Sequence, residues 1–176
     1  MDTIKSPFNL NRWISENKEL LKPPVGNKNL YVEAEDFIVM IVGGPNARKD
    51  YHYNETEELF YQLKGDIIVK TQQNNKMVEV EIKEGEMFLL PPKIPHSPIR
   101  PENSIGLVIE RKREPQHKDG LMWFSETANE LLYEEYFQLT NIEKDFLPVF
   151  KKFYSSEKLR TCPKTGEVMD ADERYS

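Results

Sequence analysis

Cysteine is nearly absent from this chain: Cys162 is the single one among 176 residues. No intrachain disulfide can form, which fits a reducing compartment and leaves the fold to an ordinary hydrophobic core. Histidine is scarce as well, with three in all, so any imidazole chemistry rests on few candidates. No stretch comes near the roughly 18 consecutive apolar residues that a membrane-crossing helix needs. Met1 to Trp13 is polar and lacks the apolar region of a signal peptide, so the expected location is the cytoplasm. No cluster of Lys and Arg forms a nucleic-acid footprint, and the net charge of -6 speaks for solubility alone. Internal repeats and low-complexity segments are missing too.

What is present suffices for one globular unit. The residues are 38% hydrophobic and 31% charged, the balance of a single soluble domain with one core. Both ends read as helix and the middle as sheet. Asn9 to Leu21 places Leu10, Trp13, Ile14, Leu20 and Leu21 on a roughly helical period, with Asn9 or Asn11 as the cap and Pro23-Pro24 as the stop. Phe37 to Val42 and Leu59 to Leu63 are continuous apolar runs, expected as buried strands. Asp66 to Thr71 and Met77 to Ile82 flank Gln72-Gln73-Asn74-Asn75, a hairpin signal. Met87 to Leu90 and Gly106 to Glu110 add two short strands. Such strands, closely spaced and broken by Gly and Pro turns, predict an all-β core, one antiparallel jelly-roll barrel over about residues 30–113. Thr127 to Leu139 and Ile142 to Tyr154 read as two helices packed on it, covering about residues 127–155. The tail, 163–176, is polar and expected to be loosely ordered.

Two of the three histidines sit in similar surroundings. His52 follows the Gly43-Gly44-Pro45 turn and His96 follows Pro91-Pro92, while Glu58 stands at the start of the Leu59–Leu63 run. Side chains at even offsets along a strand point the same way, so His52 and Glu58 can both face a barrel interior, with His96 closing a triangle. Two imidazoles and one carboxylate on one face leave coordination positions open, the facial triad of non-haem ferrous oxygenases. Taken singly, each residue is more often structural or solvated; the combined spacing decides otherwise. The run His52-x-Asn54-x3-Glu58-x6-Gly65 fits the first motif of the cupin superfamily, with Asn54 where a second histidine often stands. Asn54 is not expected to bind. The run Gly85-x5-Pro91-x-Lys93-x2-His96-x3-Arg100 fits the second motif.

Arg48 lies four residues before His52 and Arg100 four after His96, so both can face the same cavity, where guanidinium forks suit a carboxylate. The default for each is the surface; their symmetric placement favours substrate binding. Glu110 ends the Gly106–Ile109 run, as an ion-pair partner or as an acid/base whose pKa burial would raise. His117, in the polar stretch Glu114–Asp119, reads as a surface loop residue.

The chain resembles the 3-hydroxyanthranilate 3,4-dioxygenase family of cupins. The residues that carry the resemblance are Lys22-Pro23-Pro24-Val25-Gly26-Asn27, Gly43 to His52, Glu57 to Gln62, Phe88 to Pro91, Pro95 to Arg100 and Gly106 to Arg111. The resemblance implies one Fe(2+) per chain on His52, Glu58 and His96. It implies that Arg48 and Arg100 hold the carboxylate of 3-hydroxyanthranilate, that Glu110 handles protons, and that Glu58, Asn27 and Phe60 also border the substrate, though Phe60 is as readily plain core. With dioxygen the product would be 2-amino-3-carboxymuconate semialdehyde, which cyclises to quinolinate, an NAD precursor in the kynurenine route of tryptophan breakdown. A homodimer is implied, with no nucleic-acid or membrane partner. Many microbial members carry two Cys-x-x-Cys pairs where this chain has Ser125, Ala128, Cys162 and Thr165, so a second iron is not expected. A non-redox cupin isomerase or a small-molecule-binding cupin is the alternative.

Overall fold

The computed structural model describes residues 4–22, 26–46 and 48–175. Helix α1, Leu10–Glu16, starts where the Asn9 side chain accepts the Arg12 backbone N–H at 2.9 Å. It ends sooner than its period predicts. The Asn17 side chain donates to the Trp13 carbonyl at 2.8 Å, and Lys18–Leu21 tightens into a 3-10 turn. The Pro23-Pro24 stop lies outside the described residues.

Eleven strands follow among the described residues: β1 (Asn27–Asn29), β2 (Phe37–Gly43), β3 (Tyr51–Asn54), β4 (Glu58–Lys64), β5 (Ile67–Gln73), β6 (Lys76–Ile82), β7 (Met87–Leu90), β8 (His96–Ile99), β9 (Ile105–Arg111), β10 (Asp119–Phe124) and β11 (Leu131–Phe137). They form two antiparallel sheets, ordered β1-β2-β9-β4-β7 and β11-β10-β3-β8-β5-β6. The β5–β6 hairpin turns on Asn74 and Asn75, at φ 51° and 62°, the left-handed pair that a two-residue turn between twisted strands needs and that Asn tolerates. Met40, Phe60 and Val108 from the first sheet meet Ile67, Val69 and Ile82 from the second in one buried cluster. Two facing sheets around a shared core make the jelly roll that the strand pattern predicts.

The C-terminal third departs from expectation. Thr127 to Leu139 is not a helix; its greater part is strand β11, and the sheet runs well past residue 113. Leu and Glu favour helix locally, but β10 offers an edge, and pairing Trp123 with Tyr133 places Tyr133 and Phe137 against a second core. Tertiary packing overrides the propensity there. Gly120 hides β10 from a reading of the sequence, yet it is needed: a Cβ would lie 2.9 Å from the Tyr136 ring.

Helix α2, Ile142–Tyr154, forms as expected, with Asn141 as its cap. It lays Phe146, Phe150 and Phe153 over β10, and the Trp123 and Phe153 rings stack with centroids 4.2 Å apart. A short helix α3, Glu157–Arg160, follows. The tail is packed rather than loose. Met169 and Cys162 are buried, Thr161 bridges to Val168, and Tyr175 stacks on Phe150 at 4.8 Å. Its polar composition masks these few apolar anchors.

Candidate metal centre

The sheets bring the three expected ligands together from two sides. His52 on β3 stands directly opposite His96 on β8. Glu58 opens β4 in the other sheet, between Leu90 of β7 and Glu110 of β9. Glu58 and His96 are buried and the His52 side chain nearly so, and each of the three offers an atom within 4.8 Å of the others.

Their hydrogen bonding is incomplete in an informative way. His96 Nδ1 lies 3.0 Å from the Ile94 carbonyl and donates to it, which leaves Nε2 with its lone pair. That nitrogen is 3.0 Å from Glu58 Oε2, yet Oε2, fully buried, makes no hydrogen bond. A lone pair and an anionic oxygen so placed call for a cation between them, either a proton or a metal ion. Burial works against charge on His96, but Glu58 and the backbone bond to Ile94 together outweigh it and raise its pKa. Glu58 is held below its ordinary value, burial being outweighed by His96, His52 and Arg113. His52 is shifted down, chiefly by burial, and favours the neutral ring that a metal requires. Two imidazoles and a carboxylate with an orphaned oxygen fit a divalent first-row ion with open positions.

Glu110 sits one strand from Glu58 and is 4% exposed. Arg113 donates to it at 2.6 Å and Asn54 at 3.4 Å. Even so, burial and then the neighbouring Glu58 charge push its pKa up to about 7. Asn54 also caps Thr56 through its side-chain oxygen.

The two arginines, symmetric in sequence, differ in space. Arg100 is 3% exposed, its Nη1 has no partner, and burial takes its pKa down to about 10. Its backbone is fixed by Asn46, which accepts from Arg100 N–H at 2.7 Å. Gly106 makes room for the fork, since a Cβ there would lie 2.8 Å from Arg100 Nη1. Arg48 instead pairs with buried Asp50 and lies over the rings of Phe146 and Phe150 at 5.7 and 5.9 Å.

Asn27 begins β1 in the row Asn27–Val42–Gly106–Gln62, the row that Arg100 Nη1 borders. Phe60 is core, its ring edge-on to His96 at 6.4 Å. His117 sits in a turn, where it accepts from the Glu114 N–H. Ser125, Ala128, Cys162 and Thr165 gather together. Ser125 Oγ accepts from the Ala128 N–H at 3.2 Å, and the Cys162 thiol meets Thr165 and Ser125.

Two buried groups escaped the sequence reading. Asp119 and Arg113 lie at the ends of the polar connection between β9 and β10, and both side chains are buried. Asp119 accepts from His52 at 2.7 Å and from Arg113, whose Nη2 is 2.6 Å away. The available signal was the apolar run Leu121–Phe124 directly after Asp119, which marks a strand and so turns Asp119 toward the fold.

Comparison with known proteins adds an independent line. A family profile described as 3-hydroxyanthranilic acid dioxygenase matches residues 2–154. A protein of Xanthomonas euvesicatoria pv. vesicatoria named 3-hydroxyanthranilate 3,4-dioxygenase is 54% identical over 170 residues, 97% of this chain and 96% of its own. One of the same name from Ruegeria pomeroyi is 47% identical over 169 residues, 96% of this chain and 93% of its own. Among solved structures, a cupin-2 domain containing protein from Shewanella frigidimarina is similar with TM-score 0.48 and 19% identity, over 60% of this chain and 94% of that one.

Proposed function

The chain belongs to the 3-hydroxyanthranilic acid dioxygenase family, and we propose that it opens the ring of 3-hydroxyanthranilate with dioxygen, giving 2-amino-3-carboxymuconate semialdehyde. The observation that carries this reading is the buried His52, Glu58 and His96 cluster with its orphaned carboxylate oxygen, in an interior that also holds an unpartnered guanidinium. His52, Glu58 and His96 would hold one ferrous ion per chain. Bound there, iron supplies the electron-sharing chemistry that lets triplet dioxygen react with a closed-shell ring.

The protein's own groups do the rest. Arg100 presents a donor already stripped of water, the state in which a charged hydrogen bond to the substrate carboxylate is strongest. Arg48 would join that clamp by sharing its fork between Asp50 and the substrate. Glu110, with a pKa near 7, is matched to moving protons on the substrate hydroxyl and amino groups. Asn27 would line the polar end of the pocket. Phe60 backs His96, and Phe146, 5.4 Å from the His52 ring, walls the other side and keeps water out. The whole chain is read as one cupin domain.

Arg100→Ala should raise KM roughly ten- to a hundredfold, the loss of one or two charged hydrogen bonds, with a smaller change in kcat. An unchanged KM in steady-state assays removes Arg100 from the clamp.

The homodimer also has a candidate face. Val39, Ile109, Leu59 and Leu89 form one apolar row across four strands on the outside of the first sheet, beside Phe37 and Met87, which are 51% and 64% exposed. A second copy of this chain would cover it. Sedimentation should show a dimer that Leu89→Glu converts to monomer; a monomeric parent protein contradicts this assignment.

The activity is tested by anaerobic loading with ferrous iron, then addition of 3-hydroxyanthranilate and air. A near-ultraviolet semialdehyde band that appears and decays, with about one iron per chain, is expected. Bound iron without the band discards this substrate and directs the assay to other ortho-substituted phenols, and after them to the non-redox cupin readings.

A further inference from the structure

We infer that Asn46 is a positioning residue for substrate recognition: it fixes the stretch of chain from which Arg100 extends, and so ties the two arms of the carboxylate clamp to one another. The inference rests on the reading of Arg100 and Arg48 as that clamp. Arg100 directly follows β8. Its guanidinium is buried, and Nη1 has no partner. Arg48 is steered by the bonded carboxylate of Asp50. For an unpartnered fork the aim has to come from the backbone beneath it and from packing, such as the room left by Gly106.

That backbone is held by one residue. Asn46 Nδ2 donates to the Pro98 carbonyl at 2.6 Å, and Asn46 Oδ1 accepts from the Arg100 N–H at 2.7 Å. The Asn46 N–H donates in turn to the Arg100 carbonyl at 3.1 Å. In an extended chain the polar groups of residues two apart point to the same edge, so Asn46 fills that edge as a neighbouring strand would. Strand β3 meets β8 in a single pair, His52 with His96, and Asn46, in the chain leading into β3, extends the contact. An amide side chain carries a donor and an acceptor on one planar end, the match for a C=O and an N–H side by side. The same segment holds the far side of Arg100. The Gly44 N–H donates to the Ser104 carbonyl at 2.9 Å, and a Cβ at Gly44 would lie 2.1 Å from the Pro101 carbonyl oxygen. Arg48 stands two residues beyond Asn46, so the separation of the two forks is set here. Such settings matter, since a misplacement of about 1 Å in a positioning group can lower a rate about a hundredfold.

The test uses the full-length, iron-loaded protein under nitrogen, where ligands bind without turnover. Dissociation constants are measured for 3-hydroxyanthranilate and for 2-aminophenol, the same ring with its hydroxyl and amino groups but no carboxylate. The proteins compared are the parent, Asn46→Ala, Arg100→Ala and the double variant. Asn46→Ala should weaken 3-hydroxyanthranilate roughly tenfold, by no more than Arg100→Ala does, and leave 2-aminophenol and the iron content unchanged. In the Arg100→Ala background it should add nothing, because the group it aims is gone. Circular dichroism identifies a variant that fails to fold. Asn46→Ser, whose hydroxyl can keep one of the two side-chain bonds, then serves in its place, with a smaller but equally selective loss. Equal weakening of both ligands, or a full additional loss in the double variant, overturns the inference. A parent protein that binds 3-hydroxyanthranilate no more tightly than 2-aminophenol removes the clamp and the inference with it. Carboxylate-selective binding without ring cleavage once air is admitted overturns the proposed activity alone, so the failures are told apart.

Discussion

His96→Ala should abolish iron binding and ring cleavage together, with the fold retained. The expectation follows from the count of donors. His96 Nε2 and Glu58 Oε2 face each other at 3.0 Å without a hydrogen bond, so each is arranged for a cation the other helps to hold. Removing one imidazole leaves two protein donors, too few to bind a ferrous ion against water. The loss of affinity should exceed the roughly ten- to hundredfold typical of outer-shell partners. His117→Ala is the matched control, because His117 lies in a turn and bonds only locally. Metal analysis after dialysis and oxygen uptake with 3-hydroxyanthranilate read the two effects. A His96→Ala protein that retains a full iron complement would remove His96 from the ligand set. In the metal-free state the same change leaves Glu58 buried without its nearest positive partner, and breaking a buried pair is strongly destabilising. The variant should therefore melt below the metal-free parent, and the iron-loaded parent well above both.

Much of this centre could be read from the sequence, for a local reason. The two motifs, with a turn before each histidine, are properties of short segments, and β4 forms as its apolar run predicts; the even offset plays no part, because His52 and Glu58 converge from β3 and β4 of different sheets. What escaped was non-local. Asp119 and Arg113 look like members of a charged loop, and only the pairing of β10 with β3 carries Asp119 under His52. The helix expected at Thr127 to Leu139 fails for the same reason. Its Leu and Glu content favours helix in isolation, and its strand identity is supplied by the edge of β10 and by α2 behind it. The arginines give a subtler case. Equal spacing from the two histidines makes Arg48 and Arg100 look equivalent, but Asp50, two residues from Arg48, provides a partner that Arg100 lacks. That difference is present in the sequence as Arg48-x-Asp50, which equal spacing does not register.

Glu110→Gln should separate metal binding from catalysis. The amide keeps the size of the side chain and can still accept from Arg113, so iron binding through His52, Glu58 and His96 should persist. Proton transfer should not, and kcat is expected to fall by roughly two to four orders of magnitude, the usual contribution of a positioned acid or base. The pH profile gives the finer test. With its pKa raised to about 7 by burial and by the Glu58 charge, Glu110 is protonated below neutrality and becomes a base above it. The parent's kcat/KM should climb as pH rises through about 7, and the residual rate of Glu110→Gln should lose that limb. Stability carries the opposite sign. The folded state keeps a proton on Glu110 that the unfolded chain has already released above its ordinary value of 4.5. Folded stability from this group is therefore fully present below pH 4.5 and is lost as pH rises through 7, an effect of about 3 kcal/mol at most. His52, whose pKa is lowered, acts the other way, losing stability as pH falls through its ordinary range. It is common to both proteins and drops out of the comparison. Urea melts of metal-free protein at pH 5.5 and 8 should show the parent losing more stability than Glu110→Gln across that interval. Equal losses would place the neutral-range titration on another group and leave Glu110 as an ordinary partner of Arg113.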